Sequence, residues 1–267
     1  MPPESLRPTP YPDVNAALQE LSSGALSVLG SRFVGLYLHG SLAGGDFNPR
    51  TSDVDFLVVT ADELPAEIIP ALAAMHARMT AGGSSWATEL EGSYIPRHSL
   101  RRYDPSRARH PHVERGGELR VELHDSDWVI QRHVLRERGI VVAGPAIRPM
   151  IDPVQPDELR QAVRELLAGW WAAMLRDDTR LRMTGYQPYA VLTMCRMLYT
   201  LQYGTIVSKP AAARWAKRAL GSPWAGLIER ASTPEPIALS HDVNETQQFI
   251  RYTLERSRPH EVSTGYV

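Results

Sequence analysis

Four prolines fall within twelve residues, at positions 145, 149, 153 and 156, and the chain reads differently on either side of them. Proline removes a backbone donor and crowds the preceding turn, so such a cluster interrupts regular structure. Before it, helical and strand-like patterns alternate. Val14 to Leu29 repeats apolar residues at helical spacing and stops near Gly30, and Phe33 to His39 (FVGLYLH) reads as a buried strand. A Gly-rich turn follows, then a second strand from Asp53 to Thr60 (DVDFLVVT) and an Ala-rich helix from Pro65 to Thr80. Trp86 to Ile95 and Glu118 to His124 read as further strands, joined by an irregular segment from Pro96 to Gly117. Ser126 to Arg138 reads as a helix with Ser126 as its N-cap. Beyond the prolines only helices are expected: Asp157 to Arg176, Pro188 to Tyr203, Ser208 to Leu220 and His241 to Arg256. Ser208-Lys209-Pro210 is a strong helix start, with a serine cap and a proline in the first turn. The expected architecture is an α/β domain over residues 1–150, a mixed sheet with flanking helices, followed by an all-α helical bundle over residues 151–267.

Composition narrows the function classes. The 29 basic and 30 acidic residues of this 267-residue chain give a net charge of −1, against a non-specific nucleic-acid coat, which needs a clear basic excess. Lys209 and Lys217 are the two lysines. A single cysteine, Cys195, excludes an intrachain disulfide framework and a Cys-based zinc cluster. Placed in a helix, it reads as a small buried hydrophobe. No apolar run approaches the roughly 18 residues of a membrane span, and MPPESLRPTPYPD lacks the apolar core of a signal peptide. The expectation is a cytoplasmic monomer that engages neither membrane nor nucleic acid.

The stretch that carries chemistry is LYLHGSLAGGDFNPRTSDVDFLVV, Leu36 to Val59. A strand running into Gly40-Ser41 forms a corner whose N–H groups and hydroxyl suit phosphate oxygens. Twelve residues after Ser41 comes Asp53-Val54-Asp55, opening the next strand. Residues i and i+2 of a strand share a face, so both carboxylates can converge on one hard cation while Val54, Phe56 and Val58 enter the core. Mg²⁺ typically takes one or two carboxylates plus substrate phosphates.

Gly-Ser followed at this spacing by D-x-D resembles the signature of the nucleotidyltransferase superfamily. The resemblance implies attack of an acceptor hydroxyl on the α-phosphorus of a nucleoside triphosphate, with pyrophosphate leaving and two Mg²⁺ ions bound. It also implies a third carboxylate on the next strand, and Glu89 and Glu91 share one face there by the same alternation. The Leu90-Glu91 pair resembles the position of the base and puts Glu91 ahead. In the helical half, Met194-Cys-Arg-Met-Leu-Tyr-Thr and Ile206-Val-Ser-Lys-Pro resemble the C-terminal domain of the streptomycin/spectinomycin adenylyltransferases. That branch implies ATP as co-substrate, with Arg196 and Lys209 joining Gly40, Ser41 and Ser52 on the triphosphate in a cleft between the domains. It also implies that Trp128, in Glu122 to Trp128 (ELHDSDW), stacks on the acceptor. The alternative for Trp128 is the first core residue of a helix. His39 reads as structural, and Trp170, Trp171, Met197 and Tyr199 read as core.

One departure bears on the acceptor. Drug-modifying members carry acids just before the Arg196 helix, whereas this chain has Arg180-Leu-Arg-Met-Thr-Gly-Tyr-Gln-Pro-Tyr189, with Asp177 and Asp178 further back. The leading expectation is an adenylyltransferase acting on a small aminoglycoside-like molecule. The alternatives are the same chemistry on a protein side chain or non-cationic metabolite, and a non-catalytic nucleotide sensor. The Arg- and His-rich segment from 97 to 120 has no assigned role.

Overall fold

A computed structural model describes residues 7–233 and 243–258. The chain divides into two compact units, Met1–Val154 and Gln155–Val267. In the first, α1 (Pro12–Leu29), β1 (Phe33–Leu38), α2 (Gly40–Gly44), β2 (Val54–Thr60), α3 (Ile69–Ala81) and α4 (Ser85–Thr88) come in order. They are followed by β3 (Leu90–Pro96), α5 (Arg97–Arg101), β4 (Arg109–Val113), β5 (Leu119–Leu123), α6 (Asp127–Arg138) and β6 (Ile140–Ala143). The strands form one mixed sheet in the order β5-β4-β3-β2-β1-β6. Only β2 and β3 pair in parallel, and the crossover that such a pair requires is supplied by α3 and α4.

Strand alternation sorts the core into two layers. Leu36, Leu38, Val54, Phe56, Val58, Leu90 and Tyr94 face α1 and α3, against Leu18, Leu21, Leu72 and Met75. Tyr37, Leu57, Val59 and Ile95 face the other way, against Leu100, Trp128 and Leu135. Central β2 is thus covered on both sides, which is why it reads as a continuous apolar run interrupted only by Asp55.

Several local expectations need correction. Trp86 is not in a strand, because residues 85–88 form α4 and β3 begins only at Leu90. The segment from 96 to 117 contains α5 and β4; the strand RHPHV escaped detection because histidine and proline occupy positions where branched apolar residues are expected. Strand β6 was also not anticipated. Ser126 does not cap α6: its own backbone is helical and its buried hydroxyl has no hydrogen-bond partner among the described residues. Asp125 Oδ1 accepts the Ser126 N–H instead, at 2.7 Å.

The regular elements described in the second unit are all helical: α7 (Pro156–Leu166), a π turn at Leu167–Trp171, α8 (Ala172–Met174), α9 (Tyr186–Tyr203), α10 (Lys209–Leu220), α11 (Ala225–Ala231) and α12 (Asn244–Ser257). The helix expected over 157–176 is therefore interrupted, and the short α11 was not anticipated. His241, the expected start of the last helix, lies outside the described residues. The wide π turn changes which side chains face inward. Trp171 is buried, but Trp170 is 45% exposed under the Arg180 guanidinium, 4.7 Å from its ring, and so is not core. Met197 is buried, and Tyr199 is half-buried against Tyr203 and Trp215. Cys195 is buried in α9, and burial pushes its thiol up to about 12, leaving it inert at neutral pH. No helix among the described residues is long and apolar enough to cross a membrane.

Candidate active site

The site is built at the end of β1. Gly40 turns the chain with φ at +56°, and a Cβ there would stand 1.6 Å from Asp55 Oδ2. Only glycine combines that backbone with so close an approach. The His39 N–H donates to the Asp55 carbonyl at 3.1 Å, tying the turn to the start of β2. Ser41 Oγ is buried and finds no hydrogen-bond partner among the described residues, as suits a hydroxyl that serves a ligand. Ser52 closes the intervening loop: its Oγ accepts the Asn48 N–H at 3.0 Å, and its own N–H donates to the Asn48 carbonyl at 2.9 Å. Asp53 therefore enters β2 from a fixed loop.

The third acid follows from register. In the parallel pair, Asp55 is aligned with Glu91, Leu57 with Ser93 and Val59 with Ile95. Asp55 and Glu91 lie on one face of adjacent strands, roughly 4.8 Å apart in the backbone. Burial pushes the Glu91 carboxyl up to about 7, and the charges of Asp53 and Asp55 push in the same direction. Glu89 lies outside β3, as the residue that follows α4, and forms an ion pair with Arg115. No set of three His, Cys, Asp or Glu side chains among the described residues is gathered tightly enough to hold a metal ion by itself. A two-carboxylate set completed by substrate phosphates is the pattern of Mg²⁺, and the mutual repulsion recorded at Glu91 is what a cation between these acids would relieve.

His39 is buried, and burial pushes its imidazole down to about 4, so it stays neutral at physiological pH and suits a structural role. Trp128 is only 6% exposed and packs in the core layer beneath the sheet, its ring 4.7 Å from that of His124. It is thus held among the core residues of that layer. Its flanking acids are also engaged: Asp125 with the Ser126 N–H, and Asp127 with Gln131 Nε2 at 3.0 Å. In the second unit, Arg196 is half-buried on α9. Lys209 opens α10, where Ser208 Oγ caps the Ala211 N–H at 3.4 Å. Its ammonium sits 4.3 Å from the centre of the Tyr189 ring.

The sequence reading passed over Ser93, His112 and His124. Ser93 Oγ lies 2.9 Å from His112 Nδ1 and 2.8 Å from His124 Nε2, two residues along β3 from Glu91. The available signal was the alternation of His110 and His112 in a segment read as irregular.

Residues 24–123 match the nucleotidyltransferase domain family, and residues 149–254 match the aminoglycoside adenylyltransferase C-terminal domain family. The chain is an enzyme of the aminoglycoside adenylyltransferase type. A Staphylococcus aureus spectinomycin 9-adenylyltransferase is 29% identical over 213 residues, 76% of this chain and 77% of the relative. A Campylobacter jejuni protein of the same name is 25% identical over 206 residues, covering 74% and 76%. An aminoglycoside (3″)(9) adenylyltransferase from Klebsiella pneumoniae is 27% identical over 131 residues, covering 48% and 47%. The fold is that of the spectinomycin adenyltransferase AAD(9) from Enterococcus faecialis, crystallised with ATP and spectinomycin, at a TM-score of 0.70 and 18% identity over 91% of this chain and 99% of that one. Gly40, Ser41, Ser52, Asp53, Asp55 and Glu91 fall inside the first family match, and Arg196 and Lys209 inside the second. Trp128 falls between the two.

Proposed function

We propose that this chain transfers AMP from ATP to a hydroxyl of a small aminoglycoside-like molecule, releasing pyrophosphate. The observation that carries the reading is the convergence of Asp53, Asp55 and Glu91 beside the Gly40-Ser41 turn, in a chain that carries both family domains. Glu91 takes the proton of the acceptor hydroxyl as its oxygen closes on the α-phosphorus, which general-base catalysis requires. Asp53 and Asp55 would hold Mg²⁺, which would offset charge on the phosphate oxygens. The Gly40-Ser41 turn and Ser52 position the triphosphate, and Arg196 and Lys209 supply cations to it. Catalysis of this kind rests on positioning and electrostatics.

The acceptor class follows the relatives, named for spectinomycin and for aminoglycosides. A protein side chain or non-cationic metabolite is the second reading. It is favoured by the state of the acids nearest to the α9 helix: Asp178 is bound by Arg182 at 2.7 and 2.9 Å, and Asp177 accepts from Thr179 at 2.6 Å. Carboxylates so engaged are poor partners for a polycation. Incubation with α-labelled ATP, Mg²⁺ and a panel including spectinomycin and streptomycin tests both readings. Labelled drug and free pyrophosphate are expected, and Asp53→Asn/Asp55→Asn should lose at least about 100-fold in rate. Wild-type-like transfer by that double variant would remove the assignment, and label appearing only on protein would favour the second reading.

A further inference from the structure

The Ser93, His112 and His124 side chains form a hydrogen-bonded line whose direction can be derived. His124 Nδ1 lies 3.2 Å from the Glu122 carbonyl, which can only accept, so Nδ1 carries the proton. In a neutral imidazole Nε2 is then an acceptor, and the Ser93 hydroxyl 2.8 Å away donates to it. Having spent its one proton, Ser93 Oγ accepts from His112, whose Nδ1 at 2.9 Å must carry the hydrogen. His112 Nε2 is left unprotonated, and it has no hydrogen-bond partner among the described residues.

The surroundings support this order. His124 and His110 are buried, and His124 is enclosed by the rings of His110, His112 and Trp128 at 5.3, 5.9 and 4.7 Å. Burial pushes His124 down to about 3 and lowers His112 and His110, so the imidazoles are neutral at physiological pH. His112 alone of the three is only half-buried. The charged and titratable groups that bear on it are Glu122, Glu114, His39 and Asp55, which places it at the carboxylate end of the sheet. Ser93 pairs with His112 across β3 and β4, and Glu91 is two residues back on the same face, about 7 Å along the strand.

We propose that His112 is an acceptor-positioning residue: its Nε2 lone pair, fixed by the Ser93–His124 line, accepts a hydrogen bond from a second hydroxyl or an amine of the molecule whose reacting hydroxyl lies at Glu91. A lone pair there recognises donors and gives nothing to a phosphate or carboxylate, so it selects polyhydroxylated or aminated acceptors over anionic ones. The inference rests on the adenylyl transfer proposed above and deepens it by naming a group that reads the acceptor.

Two measurements test it. In ¹⁵N-histidine spectra of the wild type, His112 should show a protonated Nδ1 and an unprotonated Nε2, and saturation with spectinomycin should shift Nε2. In kinetics, His112→Asn keeps a donor toward Ser93 but drops the outer acceptor. It should raise the acceptor KM about tenfold, the equivalent of one hydrogen bond, with ATP KM and Tm unchanged. His112→Gln, which restores an amide at the outer position, should recover part of that loss. An Nε2–H tautomer, or an unchanged acceptor KM in a folded His112→Asn, would overturn the proposal. If the wild type transfers no AMP, the adenylyl-transfer reading falls; a shifted Nε2 on spectinomycin binding then still upholds the contact, and an unshifted Nε2 or an absence of binding removes it.

Discussion

Gly40 and Asp55 are fitted to each other at the scale of single atoms. Because the Asp55 carboxylate lies where a Gly40 side chain would begin, Gly40→Ala must displace it as well as strain a positive φ. The expected result is a drop of about 100-fold or more in kcat, read by pyrophosphate release, since a 1 Å misplacement is enough for that. Glu91 combines a functional need with a cost in stability. Its pKa of about 7 in the fold exceeds the ordinary value of 4.5, so the folded state binds the proton more tightly than the unfolded chain. Its favourable contribution is complete below 4.5 and is lost as pH rises through about 7. Without divalent cation, Glu91→Gln should therefore stabilise the protein at pH 8 by roughly 1–3 kcal/mol, measured by denaturant melts, while abolishing transfer. In the wild type, the acid limb of kcat/KM should lie below pH 7 and move lower as Mg²⁺ is raised, because a cation offsets the neighbouring carboxylates. A limb insensitive to Mg²⁺ would separate Glu91 from the metal pair.

At the scale of elements, turn chemistry and periodicity were readable where they acted locally. Gly30 ends α1, and Ser208 caps α10 ahead of Pro210. Ser208→Ala should cost about 0.5–1 kcal/mol in a thermal melt, the low end for a cap because its hydrogen bond is 3.4 Å long. Elements were missed where tertiary packing outweighed composition. Strand β4 turns His112 to the face where Ser93 bonds it, a partnership made across strands and invisible in the local run RHPHV. Residues 85–88 turn helical just before the strand, which separates Glu89 from Glu91 although the two differ by one alternation. Trp128 shows the converse: it lies just after two acids, yet the apolar layer of Tyr37, Leu57 and Leu135 takes it in.

At the scale of the whole molecule, the chain should respond to nucleotide as one metal-dependent binder. ATP is expected to raise Tm only with Mg²⁺ present, by the equivalent of about 2.7 kcal/mol at a ligand concentration 100 times Kd. Asp53→Asn/Asp55→Asn should abolish the shift, and an equal shift in the presence of EDTA would contradict the assignment of these carboxylates. The sequence by itself determined the change from mixed to helical patterning at the proline cluster, the strand–turn–strand that holds Gly40, Ser41, Asp53 and Asp55, and the inert burial of Cys195. Each is a property of short segments, set by backbone sterics, strand alternation or side-chain transfer from water. Only the tertiary structure decided that Glu91 stands beside Asp55, that Trp128 belongs to the core, and that Ser93 orients His112. Those outcomes depend on parallel register and on side chains distant along the chain. Such long-range pairing is selected by the burial of both sheet faces together, which no single segment encodes.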